Sequence, residues 1–165
     1  HKTSSAASDV YKRQYLDFTT YMMKTVEIHT DGACRHNPGP GGWGALMDFG
    51  DKTQELYGGD EITTNNKMEL TAVIKALEYL TEPHQIVLTT DSKYVIGGIN
   101  DWMDNWKKRG WRNAKGEPVK NKELWLQLDQ LASKHKIEWQ WVKGHSGDIG
   151  NETADMLANR GINEL

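Results

Sequence analysis

"KTVEIHTDG", residues 24–32, decides the fold. Val26, Ile28 and Thr30 alternate with Glu27, His29 and Asp31, the period of two that a strand imposes on its side chains. Asp31 closes the stretch. A second stretch, "QIVLTTDS" (85–92), carries an acid at its end in the same way, at Asp91. Its continuous apolar run is of the kind buried on both faces of a parallel sheet. If the two strands are parallel neighbours, both carboxylates meet at the carboxyl edge of the sheet, where open α/β sheets place their ligands.

Between these strands, "GACRHNPGPGGWG" (32–44) is dense in Gly and Pro and reads as a turn region. "WGALMDFG" (43–50) and "KTQELYGGDEIT" (52–63) follow as strands, completing a three-stranded antiparallel meander. From Asn66 the period changes: Leu70, Val73, Ile74, Leu77 and Leu80 share one helical face, ended by Pro83. Helices are expected at about 92–99 and 101–109, and over about 121–134, where Leu124, Leu128 and Leu131 recur. "KIEWQWV" (136–142) is the fifth strand, and "NETADMLANRG" (151–161) a closing helix with Gly161 as its C-cap. The expected fold class is α/β: a five-stranded mixed sheet, three strands antiparallel and the last two parallel to the first, flanked by helices.

The 165 residues fit one domain, and no apolar run approaches the roughly 20 residues that span a bilayer. Cys34 is the single cysteine, so neither an internal disulfide nor a zinc knuckle can form, which fits a reducing cytosolic or nuclear setting, with the cytoplasm expected. Residues 1–22 are Ser/Thr-rich, without clear period and without the apolar core of a signal peptide; they read as a non-native or disordered leader to a domain spanning 23–165.

Glu69 near the start of a helix and Asp155 in the closing helix join Asp31 and Asp91 as acids at element ends. Singly, each has an ordinary explanation: Asp91 as a helix N-cap, Glu69 as a dipole partner, Asp155 on a solvated face. As a set of four they are unfavourable without cations, because like charges raise one another's pKa. Oxygen ligands without cysteine select Mg²⁺, with Mn²⁺ as a substitute. Two such ions about 3.5–4 Å apart can hold the attacking and leaving oxygens of a phosphodiester in line. Nucleophile readings are weaker, since no motif supplies a base for Cys34 or Ser92. "NPGPGG" lacks the GK[ST] of a phosphate-binding P-loop.

Charge is segregated along the chain. Residues 106–122 hold seven lysines and arginines against Glu117, a net +6 in a chain whose formal charge is −3. Trp102, Trp106, Trp111 and Trp125 lie in or beside this stretch, and interleaved cations and aromatics suit a nucleic-acid backbone. Trp125 and Trp139 are assigned to packing.

"TDGACRHNPGPGGWG", "TTNNKMEL", "TTDSKYV", "WMDNWKKRGW" and "WVKGHSGDIGNETADMLA", in that order over residues 24–161, resemble a type 1 ribonuclease H of the bacterial kind. The resemblance implies an endonuclease that hydrolyses the RNA strand of RNA–DNA hybrids with two divalent ions, leaving 5′-phosphate and 3′-hydroxyl ends, as a monomer without membrane partners. By position it makes Asp31, Glu69, Asp91 and Asp155 the metal ligands and His145 the mobile histidine of proton transfer or product departure. It places Cys34, Asn37, Thr64, Asn65 and Asn66 at the substrate's sugars and phosphates. The family's basic protrusion corresponds to Trp102, Trp106, Lys107, Lys108, Arg109 and Trp111. Lys93 departs from the family's pattern, which often has an uncharged polar residue there, and "HSGDIGNE" also varies. Integrases and junction resolvases share the acidic cluster but lack the pairing of "TTNNKMEL" with "WKKRGW".

Overall fold

The computed structural model describes residues 20–165. Most of the leader expected at 1–22, up to residue 19, therefore lies outside the described residues. Five strands form one sheet: β1 (Lys24–Cys34), β2 (Gly39–Asp48), β3 (Thr53–Thr63), β4 (His84–Thr90) and β5 (Lys136–Trp141), in the order β3-β2-β1-β4-β5. β1–β2 and β2–β3 are antiparallel, while β1–β4 and β4–β5 are parallel. The expected mixed sheet is present. The helices are α1 (Asn65–Tyr79), α2 (Lys93–Gly97), α3 (Met103–Lys108), α4 (Lys122–Ala132) and α5 (Ile149–Asn163).

The core lies between α1, α4 and one face of the sheet, where Val26, Ile28, Met47 and Leu88 meet Leu70, Val73, Leu77 and Leu128. Burying such side chains stabilises the fold by roughly 1.5–3 kcal/mol each. Trp125 is fully buried, its Nε1–H donating to Tyr94 Oη at 3.0 Å, and Trp139 packs half-buried on the same core, both as expected. α5 covers the opposite face, against β1, β2 and β3.

Several boundaries differ from the sequence reading. The Gly/Pro stretch at 32–44 is mostly strand, because β1 runs on to Cys34 and β2 starts at Gly39. Its glycines serve close packing: a Cβ at Gly44 would stand 2.4 Å from the Ala154 carbonyl oxygen of α5. Gly161 is likewise no C-cap but sits inside α5 against the Gly58 carbonyl of β3. α5 begins earlier than expected, with Asp148 as N-cap accepting from Asn151 N–H. α1 ends at Tyr79, and Leu80 is already extended. The two helices expected at 92–109 form one continuous helical segment, with a π-helical turn at Gly98–Trp102 joining α2 to α3. β4 is not buried on both faces throughout. Gln85 and Val87 are only half-buried, because α5 covers the meander and leaves that side of β4 and β5 open.

Candidate active site

The parallel β1–β4 register ends with Thr30 opposite Thr90, so Asp31 and Asp91 follow side by side. Asp31 does not end its strand as expected: β1 runs on to Cys34, and Asp31 is still paired with Gly44 of β2, so only Asp91 leaves the sheet. Asp91 is not the helix cap that its place before Ser92 suggests. Instead Ser92 caps α2, its Oγ accepting from Val95 N–H at 3.1 Å, and the Asp91 carboxylate is left for the site. Glu69 is the fifth residue of α1, one turn deeper than the first-turn position its sequence suggested. α1 comes close enough because residue 32 is glycine: a Cβ there would lie 2.4 Å from the Glu69 backbone nitrogen.

One carboxylate oxygen each from Asp31, Glu69 and Asp91 lie within 4.8 Å of one another. Asp31 is 4 % exposed. Burial, then the Asp91 charge and a hydrogen bond with Asp155, push its carboxyl up to about 8. Glu69 is raised well above the ordinary carboxylate range by burial and by the charges of Asp31 and Asp91, with the Gly32 N–H opposing. Its Oε2 is buried without a hydrogen-bond partner among the described residues. An orphaned carboxylate oxygen between two further acids fits a hard divalent cation.

Asp155 approaches from α5, close enough to hydrogen-bond Asp31, though outside the compact trio. Its backbone carbonyl accepts from Asn159 Nδ2 at 2.9 Å, and its Oδ1 at 3.4 Å. Asn159 was not singled out from the sequence; its place one helical turn after Asp155 is the available signal. The four acids line a cavity of about 350 Å³ together with Asn65, Asn66, Lys93 and His145. His145 is exposed, in left-handed backbone (φ 56°) on the loop before α5. Two larger grooves, of about 510 and 550 Å³, lie at the other end of the sheet and contain none of these acids.

Thr64 caps α1, its hydroxyl accepting from Lys67 N–H, and Asn37 Oδ1 accepts from Asn65 N–H at 3.1 Å. The second bond ties the β1–β2 hairpin to the start of α1, which places Asn37 beside the cavity. Cys34 is half-buried, its thiol facing the carbonyls of Thr63 and Gly39, a backbone-contact role.

The basic segment stands apart from the acids. Trp102 is 40 % exposed, whereas Trp106 and Trp111 are half-buried and pack on the core, linked in a tilted aromatic series. The Lys107 ammonium is paired with Asp129 at 2.8 Å. Lys108 and Arg109 make no ion pair among the described residues.

A family model described as RNase H matches residues 23–163. The chain belongs to the ribonuclease H family. Ribonuclease H of Alcanivorax borkumensis is 65 % identical over 143 residues, covering 87 % of this chain and 95 % of that protein. Ribonuclease H of Pseudomonas entomophila is 58 % identical over 144 residues, covering 87 % and 97 %. Among solved structures, LC9-RNase H1, a type 1 RNase H with the type 2 active-site motif, matches with a TM-score of 0.79 at 30 % identity, over 86 % of this chain and 74 % of that one. LC11-RNase H1, solved in complex with RNA/DNA hybrid, shares the fold with a TM-score of 0.64 at 23 % identity, over 84 % and 97 %. The ribonuclease H assignment and the acidic cavity concern one region: the matched residues 23–163 include all four acids and His145.

Proposed function

We propose that this ribonuclease H is an endonuclease that hydrolyses the RNA strand of RNA–DNA hybrids, leaving 5′-phosphate and 3′-hydroxyl ends. The compact trio of Asp31, Glu69 and Asp91, with the orphaned Glu69 oxygen, carries the reading. With Asp155 they would hold two divalent ions, Mg²⁺ or Mn²⁺ in its place, which supply the charge that lets water attack phosphorus while the 3′ oxygen leaves. His145, exposed at the cavity mouth, passes a proton to or from the solvent side of the reaction.

Recognition of the hybrid is assigned to the remaining rim. Glu69 and the backbone at 32–34, including Cys34, meet the ribose 2′-hydroxyl, the group that separates RNA from DNA. Asn37, Asn65 and Asn66 bond sugar and groove-edge atoms without demanding a sequence, and Thr64 takes a phosphate at the start of α1. Lys108 and Arg109, with Lys107 supporting, displace counterions from the backbone, and the exposed Trp102 face is the one available for stacking. Trp106 and Trp111 hold that face in place from beneath. The enzyme would act as a monomer in the cytoplasm; no helix of the described residues is long and apolar enough to cross a membrane.

The test is incubation with Mg²⁺ and four end-labelled substrates: hybrid, duplex RNA, duplex DNA and single-stranded RNA. The expected result is cutting of the RNA strand of the hybrid alone. Cutting of duplex DNA, or no cutting at all, would refute the reading.

A further inference from the structure

Lys93 puts a cation inside a cavity that already needs cations. It follows the Ser92 cap of α2 and lines the cavity with the four acids and His145. An ammonium so placed has an obvious partner in a carboxylate, yet among the described residues Lys93 makes no ion pair. Its Nζ lies instead over the ring of Trp141, 5.5 Å from the ring centroid. That ring is itself fixed. Trp141 Nε1–H donates to the Asp91 backbone carbonyl at 3.0 Å, and the β4–β5 register sets Trp141 opposite Thr90.

The arrangement holds the charge beside the acids but off them. A cation there eases the repulsion among the acids in the metal-free protein, but it weakens divalent-ion binding by repulsion. An anion lying between it and the solvent offsets that repulsion. Lys93 lines the cavity and is exposed, and Trp141 behind it is 43 % exposed, so the cation stands at the cavity's edge, open to a passing strand.

We infer that Lys93, held by Trp141, is a substrate-positioning residue that grips a phosphate of the cleaved strand next to the scissile one. The inference rests on the proposed hybrid-cleaving function and adds a strand-specific anchor on the β5 side of the cavity, opposite the α1 side where Thr64 and the asparagines stand. The lysine acts by fixed charge, so its replacement should have two effects of opposite sign: weaker hybrid binding and tighter divalent-ion binding.

The experiment measures hybrid affinity with EDTA present, so that no strand is cut, for the wild type, Lys93→Gln, Trp141→Leu and Lys52→Gln. Lys52 is the control, because it makes the same kind of cation–π contact, with Phe49 at 5.6 Å, at the far end of the sheet. Phosphates near the cut site are replaced in turn by neutral methylphosphonates on deoxy sugars, with matched deoxy phosphodiesters as reference.

In the wild type and Lys52→Gln, one position beside the scissile phosphate on the RNA strand should cost about fivefold to tenfold in affinity. In Lys93→Gln that cost should vanish while the costs at other positions remain, and the salt slope of binding should fall by about 0.9. Trp141→Leu keeps the charge, so its salt slope should stay while the cost spreads over neighbouring phosphates. Without nucleic acid, Mg²⁺ should raise the melting temperature of Lys93→Gln more than that of the wild type. A wild-type methylphosphonate profile in Lys93→Gln overturns the inference while leaving the nuclease reading intact. If the wild type itself shows no affinity for hybrid, both fall together.

Discussion

The acidic cavity and the basic segment differ in how the fold treats charge. Asp31 and Glu69 are driven out of water, and the proximity of like charges raises their pKa; the site is costly until something positive enters. Lys108 and Arg109 stand at the end of α3 in water, at little cost and with little definition. Buried charge therefore sets geometry, and exposed charge sets attraction. The first should govern the rate of cutting, the second the affinity and its dependence on salt.

The largest test of that division is Asp31→Asn. Removing one charge from the trio should reduce cleavage by about a thousandfold or more, since the proposed ions at the reacting phosphate would lose a ligand. Hybrid affinity measured in EDTA should stay within about twofold if, as proposed, the exposed cations supply it. Turnover near the wild-type rate would end the division at its acidic half.

A smaller effect is expected on the basic side, and the structure sharpens it. Lys107 is already paired with Asp129, so the three cations are unequal. Lys108→Ala combined with Arg109→Ala should lower the salt slope of hybrid binding by about 1.8, roughly 0.9 for each freed contact. Lys107→Ala should change it by less than that single increment. Equal slopes for all variants would make the segment an ordinary solvated surface.

A third test concerns pH. In the metal-free protein burial and the neighbouring acids push the Asp31 carboxyl up to about 8. In the unfolded chain an aspartate releases its proton at about 3.9. Between those values the folded state holds a proton that the unfolded state has lost, so stability falls as pH rises through this window. The melting temperature in EDTA should decline from about pH 5 to pH 8, and the gain on adding Mg²⁺ should grow over the same range. Asp31→Asn should weaken both trends in thermal melts at stepped pH, leaving the share that buried Glu69 contributes.

The five strands, their parallel or antiparallel sense and the candidate acids could be read from the sequence because they follow local pattern and motif. Alternation in "KTVEIHTDG" reports one buried face and Asp91 does follow its strand, but Asp31 lies inside β1, paired with Gly44, because β2 keeps pairing beyond the end of β4. What escaped the sequence depends on contacts between distant segments. The glycines at 42 and 44 look like turns in isolation, but α5 packs against the strand there. Gly161 looks like a helix stop until the β3 backbone is found against it. Trp106 and Trp111 read as a binding surface beside lysines, yet they fill space over the core. The ownership of the α2 cap, Ser92 rather than Asp91, turns on a single side-chain rotamer that no spacing reveals.

The approach of α5 to Gly44 has a further consequence. The helix rests on bare backbone, with the Ala154 carbonyl at the place a methyl group would occupy, and Asp155 is the next residue. The sheet thus works as a gauge block for the fourth carboxylate: the thickness of one strand without side chains sets how far Asp155 stands from Asp31. A residue with no functional group of its own fixes a dimension of the site, and it would behave under substitution as though it belonged to the chemistry.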